Sequence, residues 1–114
     1  ETLLKDWENE HAKNWDANDL LCKLKTWQSN DISKNPLYKN NYVKALKSIS
    51  ARTIIMSCNQ DLYFRTEDNI CEKKFINKAS LRPINSLYGH CAANPGNDSN
   101  FQKKLDQNIF ELLN

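Results

Sequence analysis

The run Thr53-Ile54-Ile55-Met56, closed by Ser57-Cys58-Asn59-Gln60, constrains this chain of 114 residues more than any other stretch. It is too short for a helix and too continuously apolar for a strand with one wet face, so it reads as a strand buried on both faces. Thr66, followed by Glu67 and Asp68, opens a helix that carries Ile70, Cys71, Phe75 and Ile76 and ends at Asn77. A second strand spans roughly 80–84, with Pro83 removing a ladder donor and marking an edge or a strand end. Strand, helix, strand predicts a parallel, right-handed crossover. A polar loop, 85–99, leads to a closing helix with Phe101, Leu105, Ile109, Leu112 and Leu113.

The upstream half is helical in pattern. Leu3, Leu4 and Trp7 mark one amphipathic stretch. Asp16 caps a second, in which Ala17, Leu20, Leu21, Leu24 and Trp27 recur at three and four, and 41–48 forms a third with Tyr42, Val43, Leu46 and Ile49. The fold class expected is therefore α/β, with helices over 1–49 followed by a β-α-β-α unit over 50–114. Two parallel strands do not make a stable sheet alone, so a doubly buried strand implies neighbours from upstream of Glu1 or from a partner chain. A first residue that is not methionine, with no charged-then-apolar leader, fits a processing point or a fragment boundary.

Composition excludes several chemistries. With only Gly89 and Gly96, the chain holds no dinucleotide-binding glycine motif, phosphate-binding loop or G-x-S-x-G serine elbow. His11 and His90 are the only histidines, and cysteines at 22, 58, 71 and 91 form no C-x-x-C pair, so neither a zinc site nor any other metal is expected. Four cysteines allow three disulfide pairings. Cys22 and Cys71 fall at helical apolar positions and Cys58 ends an apolar run, which points to buried free thiols in a reducing, cytoplasmic setting. A net charge of +2, from 16 basic and 14 acidic residues scattered along the chain, argues against nucleic acid as a partner. A mean hydropathy of -0.76 argues against a membrane span.

The candidate chemistry lies after the strands. Asp61 follows the carboxyl end of the first, and His90 lies in the loop beyond the second, so both emerge on the rim where open α/β sheets bind ligands. A carboxylate there can accept the imidazole Nδ1 proton and fix the tautomer that leaves Nε2 as a base. By spacing alone Asp61 also reads as a turn or cap residue and His90 as a solvated loop histidine. Cys91 adjoins His90, but side chains adjacent in sequence diverge, and nothing nearby supplies an oxyanion hole.

Thr53-Ile54-Ile55-Met56 through Asp61-Leu62-Tyr63-Phe64, Glu67-Asp68-Asn69, Leu81-Arg82-Pro83-Ile84 and Gly89-His90 with Asn94-Pro95-Gly96 resemble the C-terminal part of α/β-hydrolases of the homoserine O-acetyltransferase family. Upstream, Trp15-Asp16-Ala17-Asn18-Asp19-Leu20-Leu21, Thr26-Trp27-Gln28 and Asp31-Ile32 look like the helical lid segment of that family, so the resemblance covers about 7–113. It implies a partial α/β-hydrolase fold in which residues 1–49 form lid helices, which often contribute to dimer contacts, and 50–114 the βαβα portion of the core. It also implies that Asp61 is the catalytic acid and His90 the catalytic base of an acyltransferase or ester hydrolase. Acetyl-CoA would be a possible co-substrate, and a small-molecule acyl donor and acceptor the partners. No bound cofactor is expected. The serine would lie outside these residues and leave the chain inactive alone, and a non-catalytic interaction module is the alternative. Cys91-Ala92-Ala93-Asn94 stands where many acetyltransferases of the family carry an aspartate and an aromatic after the histidine, which leaves a related acyltransferase or a hydrolase open.

Overall fold

A computed structural model describes residues 2–114. Helices α1 (Thr2–Asn14), α2 (Ala17–Ser29) and α3 (Tyr42–Lys47) precede strand β1 (Thr53–Ile55). Helix α4 (Thr66–Lys73), strand β2 (Ala79–Leu81), a 3₁₀ helix (Gly89–Ala93) and helix α5 (Ser99–Leu113) follow. The chain divides into two compact units, one ending at Ile32 and one spanning Ser33–Asn114. By compactness α3 therefore groups with the strands, whereas the division at residue 49 separates proposed roles. Residue 1, the first of that segment, lies outside the described residues. Among the described residues no helix is long and apolar enough to cross a membrane.

In the first unit, Asp16 caps α2 by accepting the Asn18 N–H at 2.8 Å, as its sequence position implies. The apolar spacing is also real, yet neither α1 nor α2 buries a residue: Leu3, Trp7, Leu21, Leu24 and Trp27 are all exposed. Periodicity states which face would be covered and leaves open what covers it.

In the second unit, β1 and β2 pair in parallel, Thr53 with Ala79, Ile54 with Ser80 and Ile55 with Leu81. Both elements are shorter than expected. Met56 lies outside β1, and β2 stops before Pro83. The Arg82 N–H reaches Ile55 O and the Ile84 N–H reaches Ser57 O, each at 2.8 Å, so residues 82 and 84 face β1 and Pro83 turns to the outer edge. Pairing resumes as a single parallel bridge between Cys58 and Ile84. The expected double burial of β1 is corrected: Thr53, Ile54 and Ile55 are each half-buried, because β2 is the strand paired with them among the described residues. Thr66 is the first residue of α4, as expected, though it does not cap it. Arg65 holds the cap position without a side-chain bond, while the Thr66 hydroxyl lies 3.0 Å from both Ser57 Oγ and Asn59 Oδ1 and ties α4 to the end of β1. That helix ends at Lys73, short of Asn77.

The small core joins Cys58, Ile84, Ala92 and Phe101, with Met56 and Leu105 packed against it. It thus sits where the extended ends of both strands meet the 3₁₀ helix and the first turns of α5. Asp98 caps α5 through the Asn100 and Phe101 N–H groups at 2.9 and 3.0 Å. From the end of β2, Arg82 grips Glu111 of α5 end-on, Nη1 to Oε2 at 2.7 Å and Nη2 to Oε1 at 2.5 Å, and also donates to Asn108 Oδ1. The four cysteines are free thiols. Cys58 is buried, but Cys22, Cys71 and Cys91 are exposed, which corrects the expectation of burial for Cys22 and Cys71. Cys22 stands on a helix that buries no residue, and Cys71 stands beside the exposed Ile70 of α4.

Candidate active site

Asp61 is set by a tight turn after the Cys58 bridge, its N–H donating to Cys58 O at 3.0 Å. Its carboxylate does two things at once. Oδ1 accepts the Tyr63 and Phe64 N–H groups at 2.7 and 3.1 Å, the side-chain-closed turn that aspartate favours. Oδ2 lies 3.1 Å from His90 Nδ1. The turn reading is met by Oδ1, and Oδ2 is the oxygen that contacts the His90 ring.

The loop expected over 85–99 contains the 3₁₀ helix, and His90 is its second residue. The Gly89 N–H bonds Ser86 O at 3.1 Å and the Cys91 N–H bonds Tyr88 O at 3.0 Å, so the imidazole projects from ordered backbone. Tyr63 and Phe64 stand beside it, ring centroids 4.8 and 5.3 Å away with a 44° tilt in each case, and fix the ring plane. Asp61 therefore orients the histidine directly through Oδ2 and indirectly through the two aromatics that its Oδ1 anchors.

Burial, with the Asp61 side chain 10% exposed, works against its charge. The Tyr63 N–H, the His90 ring and the Phe64 N–H together outweigh that and hold the Asp61 pKa below its ordinary value of 3.8. An ionised Asp61 is placed to accept a proton carried on Nδ1, the tautomer in which Nε2 bears the lone pair. Nε2 has no hydrogen-bond partner among the described residues, and the His90 side chain is 42% exposed.

The pair borders a cleft of about 240 Å³, lined also by Met56, Phe64, Ala92 and Phe101. A larger hollow, about 500 Å³, lies within the first unit, where the Lys23 ammonium stands 3.9 Å over the Trp15 ring, but no histidine lines it. Among the described residues no group of three or more His, Cys, Asp or Glu side chains is placed to hold a metal ion. Cys91 is exposed next to His90, and no contact joins its thiol to the imidazole among the described residues. The supporting residues Gln60, Ser86 and Gly89 were not legible as site residues, since their contacts join positions some 26 residues apart.

No protein-family model matches the chain. It is 34% identical over 98 residues to an ethyl acetate hydrolase of Pseudomonas veronii, covering 86% of this chain and 27% of that protein. It is 28% identical over 113 residues to a probable esterase of Corynebacterium glutamicum, covering 99% of this chain and 32% of that protein. The crystal structure of an acetylester hydrolase from Corynebacterium glutamicum superposes with a TM-score of 0.76 at 29% identity, over 85% of this chain and 27% of that one. The mixed helices, the parallel strand pair and this superposition are consistent with a partial α/β fold. In sequence and in backbone, the chain is similar to about a quarter to a third of an ester hydrolase.

Proposed function

We propose that these residues supply the acid and the base of a serine-dependent ester hydrolase of the α/β-hydrolase type. The observation that carries the reading is the 3.1 Å contact of His90 Nδ1 with Asp61 Oδ2, with Nε2 left unpartnered among the described residues. In the mechanism that follows, Nε2 takes the proton of a serine hydroxyl as its oxygen attacks the acyl carbon, then passes that proton to the departing alcohol. A water molecule, deprotonated by the same nitrogen, then attacks the acyl-serine carbon; the bond to the serine oxygen breaks, that oxygen takes the proton back from Nε2, and the acid is freed. The chain holds no G-x-S-x-G segment, so the serine and the oxyanion donors come from polypeptide outside the 114 residues.

Short acyl esters are the substrates this reading favours. Support comes from the names of the relatives, an ethyl acetate hydrolase and an acetylester hydrolase, and from the small cleft with Met56, Phe64 and Phe101 in its wall. Transfer from acetyl-CoA to a homoserine-like acceptor is the finer variant of the same chemistry. Cys91-Ala92-Ala93-Asn94 after the histidine weighs toward water as acceptor. Residues 1–49 act in this scheme as helices that roof the pocket or join two copies, and 50–114 as core. The exposed apolar residues of α1 and α2 support a covering role.

The test combines activity with labelling. The 114 residues alone are expected to turn over neither acetyl-CoA nor p-nitrophenyl acetate above background, and activity is expected when the serine-bearing polypeptide is present. A fluorophosphonate that inactivates the active species should then modify a serine mapping outside 1–114. Labelling of a residue within the chain, with loss of activity, would overturn the reading.

A further inference from the structure

The Asp61–His90 pair is assembled from two turns, and one residue touches both. Gln60 immediately precedes Asp61. Its Oε1 accepts the Ser86 N–H at 2.8 Å. Its main-chain carbonyl oxygen stands 2.9 Å from the place that a Cβ on residue 89 would fill, so the turn approaches this closely only because Gly89 has none. Gly89 also has φ +52°, in the left-handed region that glycine tolerates.

The far side of this contact is rigid. Ser86 is 6% exposed and its polar groups are engaged: its carbonyl accepts the Gly89 N–H at 3.1 Å, and its hydroxyl bonds Asp98, the cap of α5. Cys58 Sγ fills the angle between the turns, 3.7 Å from Gln60 Oε1 and 3.6 Å from Ser86 O. Gln60 thus links a turn tied to β1 with a turn tied to α5, one residue before Asp61 on one side and one to four before His90 on the other.

We infer that Gln60 is a positioning residue: through Oε1 on the Ser86 N–H and its carbonyl against Gly89, it sets the approach of His90 to Asp61. A pair drawn from separate turns is only as well placed as the turns are relative to each other, and productive geometry tolerates about 0.5 Å of error. The inference rests on the reading of Asp61 and His90 as an acid–base pair, but its test uses no activity and so fails or stands separately.

The experiment is NMR on the species that contains this chain together with the serine-bearing polypeptide, with Gln60→Leu, which removes the acceptor at similar volume, and Gln60→Glu, which keeps one. Three signals are followed: cross-peaks from the His90 ring to the Tyr63 and Phe64 rings, the Asp61 carboxyl titration, and exchange protection of the Arg82 and Ile84 amides that pair with β1. Gln60→Leu should weaken the ring cross-peaks severalfold. It should also move the Asp61 titration up toward its ordinary value, because the lowering due to His90 is lost, while both amides stay protected. Gln60→Glu should preserve the ring cross-peaks and the protection of both amides, the two signals read for this variant because its added carboxylate beside Asp61 itself raises the titration. Unchanged cross-peaks and titration in Gln60→Leu would overturn the inference, as would a Gln60→Glu variant whose ring cross-peaks weaken as those of Gln60→Leu do. Loss of amide protection together with the ring contacts would also overturn it, since that marks Gln60 as a residue of the fold.

Discussion

On the proposed mechanism, His90→Ala is expected to lower ester hydrolysis about 10³- to 10⁴-fold in the species that contains both this chain and the serine, the upper part of the range for a positioned general base. Without an imidazole no group in the cleft takes the serine proton. Asp61→Asn is expected to lose much of the same factor by another route. An amide cannot hold Nδ1 protonated as a carboxylate does, and the wrong tautomer turns N–H rather than lone pair toward the serine. Cys91→Ala should leave activity essentially unaltered, because nothing links that thiol to the imidazole among the described residues. Initial rates with p-nitrophenyl acetate, taken alongside circular dichroism, separate chemistry from folding. Turnover by the 114 residues alone that disappears in Cys91→Ala would instead identify a cysteine nucleophile.

Gly89→Ala is the substitution outside the pair with the largest expected effect. Its φ of +52° costs a residue with a Cβ about 1–2 kcal/mol. The new methyl would also meet the Gln60 carbonyl at 2.9 Å, and because that atom is backbone one of the two turns must retreat. Gly96 is the internal control: its φ is +86°, but a Cβ there meets nothing within 4 Å. Urea unfolding should show Gly89→Ala destabilised by more than about 2 kcal/mol and Gly96→Ala by about half that, since the backbone term alone acts at the second site. Equal losses at the two glycines would mean that the close approach to Gln60 is unimportant.

The meeting of Asp61 with His90 was legible in the sequence because it rests on a rule of topology. Parallel strands joined by a helix present their following turns on one rim, so Asp61 and His90 are neighbours once both strands are recognised. What holds them was hidden. Gln60 and Ser86 are ordinary polar residues in loops, and only coordinates bring the amide of one to the N–H of the other. The 3₁₀ helix under His90 spans five residues, too few for any periodic signal. Burial was misjudged for a related reason. The Thr53–Met56 run and the spacing of Leu20, Leu21, Leu24 and Trp27 identify surfaces suited to burial, but burial itself depends on layers that the local pattern does not contain. Hence β1 is half-buried, α2 is exposed, and Cys22 and Cys71 face solvent. Pro83 was informative as an edge mark, since its missing donor falls on the side away from β1 while Arg82 and Ile84 on either side of it bond Ile55 O and Ser57 O.

The most direct test of Asp61 and His90 as one unit is a double-mutant cycle on ester hydrolysis with Asp61→Ala, His90→Ala and both together. If Asp61 acts only by orienting and charging His90, its removal has nothing left to impair once the imidazole is gone. The double variant is then predicted to be no slower than His90→Ala alone. Losses that multiply would show that the two side chains act independently, and would contradict the account.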